Sequence, residues 1–510
     1  MKDTMLGSKN SKHNFNFFVG VLRYSLICFI FAIATFLFLL NSPSHIWNNS
    51  EITTDSSVFQ TIAFQMKNGA VPYRDTFDHK GPLTYLINYI AYSINPHSGL
   101  FYIEFIVVFA VFLLSYLIAR LKCNNFFSIV AAFITFSPLF TFFQGGNYTE
   151  EYALPFILGA LYIFLDYFLN NKITKCRLIL CGLSFGAVLM IRANLISVWI
   201  IFCVAVLIEC LERKKFKDLK TFIIFFTIGL SLVVLPFIIW LCMNSALSDF
   251  WNDYVLFNIK YTNENPLLKR FTSENKKYSF FHFYNNTLLI VSTVILIYDL
   301  KCKKSILNLY CLAYLLFDLL LSSMSGLIYG HYGIILVASI VYPISILFNL
   351  CQELEKNNKA NEAVSLIILI YFIATLVAPD WFKLIQTAPY EKNSDEIKTS
   401  TEAKKIKSIV RMYSSTDDKI TVWGNWNFLY LYTCRLPASK YSYQYPIALV
   451  DPSIYDDYLE DLEKNIPKII VVQSGYSQDL ITNFADKHDY ELVYPSEDSS
   501  DGNCLVYVQK

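Results

Sequence analysis

Long apolar runs alternate with short polar or basic turns over most of the chain. Residues 19–40, 100–119, 126–143 and 152–169 each approach the roughly 20 residues that a helix needs to cross a hydrocarbon core. Runs at 178–191, 195–210, 222–241, 288–300, 306–323, 334–350 and 363–377 follow. Together they predict about eleven spanning helices. Residues 83–94 are too few to span and carry Asn88 and several tyrosines, so they read as a helix lying in the interface.

Basic residues sort the turns between these runs. Lys2, Lys9, Lys12 and Arg23 flank the first run, and lysines and arginines return at 120–122, 172–177, 213–217, 301–304 and 356–359, on every second turn. Positive charge stays on the cytoplasmic side, so the N-terminus is expected inside and the C-terminus outside. No small-residue cleavage site follows the first run, which is read as a retained helix. From about Lys383 the composition becomes that of a soluble domain. Ile420-Thr-Val-Trp, residues 468–473 and Leu505-Val-Tyr-Val read as strands, and 406–413 and 477–488 as helices. The expected fold is a polytopic α-helical membrane protein with a C-terminal extracytoplasmic α/β domain. The expected division is a transmembrane domain over 1–380 and a soluble domain over 381–510.

Composition agrees with that class. Hydrophobic residues make up 55% and charged residues 16% of the 510 residues, and mean hydropathy is +0.40. The net charge of +1 gives no reason to expect a nucleic-acid partner. The twelve cysteines show no CxxC pair and no metal-ligand spacing. Cys434 and Cys504, in the polar C-terminal region, are the two that can form a disulfide if that region is extracytoplasmic.

Candidate chemistry concentrates in the first outer loop, 41–98. Between Asp55 and Lys80 stand Asp55, Arg74, Asp75, Asp78, His79 and Lys80, dense charge for so apolar a chain. Val58, Ala63 and Met66 recur at helical spacing, predicting a short amphipathic helix N-capped by Thr54 or Asp55. A loop at 69–72 then returns the 75–80 cluster toward it. A carboxylate at a membrane face can serve as general base to a hydroxyl, and a nearby cation can hold a lipid phosphate. Asp55 and Lys80 supply that pair, although a helix cap and a snorkelling lysine are the structural alternative. Glu150 and Glu151 begin an apolar run, where the helix dipole favours carboxylates in any case. Arg192 interrupts an apolar stretch and needs an anion or water, and His331 stands between Tyr329 and Tyr332. Glu104, Asp166 and Asp318 lie within apolar runs and are expected in structural pairs or facing a cavity.

The early charged loop, the run Tyr73-Arg-Asp-Thr-Phe-Asp-His-Lys-Gly-Pro-Leu83 and the topology resemble the C-type (GT-C) membrane glycosyltransferases of the bacterial protein-mannosyltransferase and aminoarabinose-transferase kind. The resemblance implies transfer of a sugar from a polyprenyl-phosphate donor to a glycan, lipid or protein acceptor outside the plasma membrane, with inversion. It implies Asp55 as catalytic base, and Lys80, with Arg74, Arg192 or His331, on the donor phosphate. It matches Glu150 or Glu151 to the acidic residue of the second outer loop. Ser56 replaces the second carboxylate common in that family, leaving Asp75 and Asp78 as candidates for its role. No cofactor is expected, and a divalent cation stays open. The rival expectations are a lipid-linked saccharide flippase, against which no inverted repeat is found, and a surface-polysaccharide polymerase or ligase.

Overall fold

The computed structural model describes residues 2–46, 51–171, 173–263, 280–284, 286–323, 329–356, 359–387, 400–495 and 504–510. Parts of the stretches between the apolar runs at 222–241 and 288–300, and between those at 306–323 and 334–350, therefore lie outside the described residues. Nearly every apolar run forms a helix. In order come α1 (Lys2–Phe38), α2 (Thr54–Lys67), α3 (Pro82–Ile94), α4 (Gly99–Arg120), α5 (Asn125–Phe136), α6 (Leu139–Phe142), α7 (Thr149–Asn170), α8 (Lys175–Ile191), α9 (Ser197–Glu212) and α10 (Phe216–Met243). Helices Thr287–Lys303, Ile306–Ser322, Leu336–Glu355, Lys359–Phe372 and Ala378–Thr387 follow.

Among the described residues, seven helical segments are long and apolar enough to cross a membrane: Phe18–Asn41, Gly99–Arg120, Asn125–Phe142, Thr149–Asn170, Phe216–Met243, Gly330–Glu355 and Lys359–Thr387. The other four runs expected to span are helices of 16 or 17 residues, about 25 Å long and short of a hydrocarbon core. Burial ranks the long helices. Gly330–Glu355 is 83% buried over its most apolar window, whereas Phe216–Met243 and Lys359–Thr387 are 11% buried, so the first is the axis of the bundle and the others its rim. On the rim, α10 lies against α8 at backbone contact. A Cβ on Gly182 would sit 1.9 Å from the Phe226 carbonyl oxygen, and one on Gly229 2.0 Å from that of Ile179. Such close approach by small residues is how helices associate where no hydrophobic force distinguishes helix from lipid.

The carboxylates inside the apolar runs have local partners. Asp166 is ion-paired with Arg177, Asp318 accepts from Ser197 Oγ at 2.5 Å, and Glu104 accepts from Ser42 and Ser44. The last apolar helix runs to Thr387, past the boundary expected at 380. Beyond Ser400 a four-stranded sheet forms in the order β1 (Ile420–Trp423), β2 (Ile469–Val472), β4 (Leu505–Gln509), β3 (Tyr490–Tyr494). The β1 and β2 strands are parallel and fully buried, and β4 runs antiparallel to both β2 and β3. The β3 strand has no counterpart in the sequence expectation. Its burial pattern runs from buried Tyr490 through exposed Glu491 and Leu492, so it shows no clean two-residue alternation. Cys434 is exposed, Cys504 is buried, and both are free thiols.

The C-terminal unit seats on the first polar segment rather than standing apart from it. The Phe77 amide donates to the Lys440 carbonyl at 2.9 Å, Trp426 Nε1 donates to Glu51 Oε1 at 2.9 Å, and Lys440 Nζ lies 3.0 Å from Asp253 Oδ2. Val58, Phe59, Tyr73 and Phe77 share one apolar cluster with Trp423, Tyr441 and Ile470.

Candidate active site

The segment between the first two long helices folds by local rules. Thr53, extended at φ −63 and ψ 160, is the N-cap of α2, which places Asp55 in the first turn rather than at the cap. Gly69 turns the chain with φ +94. Tyr73 also takes a left-handed backbone, φ 71, and its hydroxyl donates to the Lys80 carbonyl at 2.7 Å. The returning segment ends at Gly81, whose amide donates to the Ile191 carbonyl at 2.9 Å; a Cβ there would stand 2.2 Å from the Met190 carbonyl oxygen. Only glycine permits that approach, and it sets Lys80 beside Arg192.

These elements enclose a cavity of about 530 Å³ at the end of the bundle opposite the basic turns. Asp55, Asp78, Lys80, Glu150, Arg192 and His331 all line it. Its roof comes from the C-terminal unit, through Asn425, Tyr443, Pro446 and Ile447. Three of the expected residues fall elsewhere. Arg74 and Asp75 pair with each other at 2.8 Å and line a separate cleft with Lys440 and Asp461, because Tyr73 turns the backbone and faces them away. Glu151 closes a capping box, its carboxylate accepting from the amide of the N-cap Tyr148 at 3.4 Å and also from the Asn147 amide at 2.7 Å. Adjacent residues on a helix point about 100° apart, so Glu150 faces the cavity while Glu151 turns back to the helix end.

The charges in the cavity are arranged in three groups. Asp55, its side chain 46% exposed, has Oδ2 at 3.9 Å from His331 Nε2. The His331 ring is stacked between Tyr148 at 4.2 Å and Tyr329 at 5.6 Å. Arg192 is ion-paired with Glu150, and its guanidinium lies 4.9 Å from the centre of the Tyr332 ring. Asp78, His79 and Lys80 form the third group. Asp78 Oδ1 accepts from Tyr443 at 2.9 Å and Oδ2 from Tyr85 at 3.1 Å, while Lys80 Nζ donates to His79 Nε2 at 2.6 Å. Burial pushes the Asp78 carboxyl above its usual range, with Lys80 acting against it. Burial likewise pulls Lys80 below an ordinary lysine, with Asp78 opposing, and drives His79 well below an ordinary histidine, helped by Lys80 and Arg192.

Among the described residues no group of three or more His, Cys, Asp and Glu is placed to hold a metal ion. Glu150 is committed to Arg192 and Asp78 to two tyrosines, and Asp55 faces His331. No step below is routed through a divalent ion.

The model of the family described as "Putative competence-induced protein Ccs4 N-terminal domain" matches residues 9–365. The chain belongs to this family. No curated protein matches it by sequence. Among solved structures it is similar to ArnT from Cupriavidus metallidurans bound to undecaprenyl phosphate, at 11% identity and a TM-score of 0.57, over 95% of this chain and 97% of that one. It is similar to the oligosaccharyltransferase of Archaeoglobus fulgidus in complex with Zn and sulfate, at 14% identity and a TM-score of 0.55, over 95% and 73% of the two chains. AglB from the same archaeon, in complex with an inhibitory peptide and a dolichol-phosphate, gives a TM-score of 0.50 at 14% identity, over 95% and 74%. The fold of this family member is the GT-C fold, as its charged first loop suggested. Sequence reasoning missed the roof. Tyr443 reaches Asp78 across 365 residues, a separation that carries no local signal.

Proposed function

We propose that the protein is a membrane glycosyltransferase. It moves a sugar from a polyprenyl-phosphate donor to a glycan, lipid or protein acceptor at the extracytoplasmic face, with inversion. One observation carries the reading: a GT-C cavity whose lining brings together the Asp55 carboxylate, Lys80 and Arg192. The likeness to a fold solved with undecaprenyl phosphate, and to another solved with dolichol-phosphate, supports the lipid-linked donor. The cavity's place opposite the basic turns supports the extracytoplasmic side.

In this reading the acceptor hydroxyl attacks the anomeric carbon as its proton passes to the Asp55 carboxylate. A new carbon–oxygen bond forms to the acceptor. The bond from the anomeric carbon to the phosphate oxygen breaks, and its electron pair stays on the lipid phosphate. Charge grows on that phosphate, and Lys80 is best placed to offset it, because Arg192 is already largely neutralised by Glu150. His331, fixed between two tyrosines, orients Asp55. Neither Arg74 nor Asp75 takes part, since both lie in the other cleft.

The test is purified protein in lipid, offered a panel of radiolabelled polyprenyl-phosphate sugars. Wild type is expected to consume one of them. Asp55→Asn is expected to lower turnover about 10²–10⁴-fold, the usual worth of a general base, with donor binding kept. Lys80→Ala is expected to abolish consumption through lost donor binding. Labelled lipid that crosses the bilayer unconsumed would overturn the reading in favour of a flippase.

A further inference from the structure

His79 lies inside the cavity, yet the proposed reaction gives it no part. Its side chain is 16% exposed, and its ring is held on one side by Phe257 at 5.4 Å and Tyr261 at 5.9 Å. Its backbone is fixed as well: the amide donates to Asp78 Oδ1 at 2.8 Å and the carbonyl accepts from Asn258 Nδ2 at 2.7 Å. The two ring nitrogens face unlike neighbours. Nε2 is 2.6 Å from the Lys80 ammonium, and Nδ1 is 3.4 Å from Asp78 Oδ1. An ammonium only donates, so Nε2 must accept. The tautomer follows, with the proton on Nδ1, toward the carboxylate.

Resting on the glycosyltransferase reading, we infer that His79 is a positioning residue. Its Nε2 holds the Lys80 ammonium toward the donor phosphate, and Asp78, which accepts from Tyr85, from Tyr443 of the C-terminal unit and from the His79 amide, fixes the backbone that carries the ring. Lysine is a flexible side chain whose rotamer freedom is costly to restrain. A fixed acceptor restrains it before the lipid arrives, which is preorganisation. The ammonium has three N–H groups. One goes to His79, leaving two for phosphate oxygens, so positioning and phosphate binding do not compete. A neutral imidazole adds no charge against the ammonium. A carboxylate in direct contact would have neutralised it, as Glu150 does Arg192. The arrangement also gives the C-terminal unit a mechanical link to the phosphate-binding lysine, from Tyr443 to Asp78, from Asp78 to the His79 amide, and from the His79 ring to Lys80.

Four proteins in lipid nanodiscs test the inference: wild type, His79→Asn, His79→Phe and His79→Gln. Undecaprenyl phosphate binding is measured alongside kcat and the donor KM. An asparagine amide reaches only the Nδ1 position and phenylalanine accepts nothing, so both variants are expected to bind undecaprenyl phosphate about tenfold to a hundredfold more weakly, the worth of a hydrogen bond to a charged group. The donor KM rises in parallel, and kcat falls as well, because a loosened Lys80 offsets less of the charge that grows on the departing phosphate. Glutamine places a carbonyl oxygen near the Nε2 position, and its recovery of most of the affinity separates positioning from packing. It also keeps the test open if His79→Phe fails to fold. Unchanged affinity and KM in a folded His79→Asn protein would overturn the inference while wild-type transfer stands. A wild type that neither binds undecaprenyl phosphate nor consumes any donor would instead overturn the reading of the site, and the inference with it.

Discussion

Replacing Glu150 by glutamine is expected to weaken the fold and tighten the grip on lipid phosphate at once. Glu150 is 2% exposed and Arg192 19%, and each is the other's ion-pair partner. Removing one partner of such a buried pair costs about 3–5 kcal/mol, because the charge left behind is uncompensated. Arg192 retains its place over the Tyr332 ring, worth up to about 2 kcal/mol when desolvated, and it borders a cavity that admits water. The loss therefore falls at the lower end, about 3 kcal/mol. The freed guanidinium can then bond a phosphate oxygen with its charge unopposed, worth about 1.5–3 kcal/mol, or roughly tenfold to a hundredfold in affinity. The assay is thermal unfolding in nanodiscs with and without undecaprenyl phosphate. Alone, Glu150→Gln should melt below wild type; with the lipid its melting point should rise by more than that of wild type. Turnover should fall as product is retained. The double variant Glu150→Gln/Arg192→Met removes both charges and should recover stability without the extra affinity. A Glu150→Gln protein that melts like wild type, or gains no more from the lipid, would refute the account of Arg192 as a neutralised cation.

Two other substitutions probe how the site is held. Gly81→Ala sets a methyl 2.2 Å from a main-chain oxygen that no side-chain rotation can move, so it should cost about 1–3 kcal/mol or more. By displacing Lys80 it should also raise the donor KM, and a folded variant with wild-type KM would separate Gly81 from the lysine's placement. Burial of Asp253, which raises its carboxyl to about 7 against the pull of Lys440, should give stability a pH dependence. Its protonated form is the one the folded state prefers, so its contribution is full below an ordinary carboxylate pKa near 4 and is lost as pH rises through 7. Melting points of wild type should fall from pH 5 to pH 8 relative to Asp253→Asn; parallel curves would count against that assignment.

The sequence by itself determined the helices, the expected sidedness and the first-loop cluster, because each is written in consecutive residues. A membrane-length apolar run, a basic turn or the stretch from Asp55 to Lys80 needs no knowledge of what packs against it. It also carried the family resemblance that led to the GT-C fold. What it left open was which charges meet. Glu150 and Glu151 are neighbours with the same side chain, and only the helix phase sends one to Arg192 and the other to its own cap. Asp75 and Asp78 look equivalent in the chain, yet the left-handed turn at Tyr73 sends Asp75 to Arg74 in a separate cleft and Asp78 into the cavity. Arg192 reads as an available cation until the fold supplies its carboxylate. Tyr443 and Asn425 join the site from the far end of the chain, where nothing local marks them. The physical reason is the same in each case: apolar burial follows local pattern, whereas a charge is defined by partners that the tertiary fold alone brings within hydrogen-bonding reach.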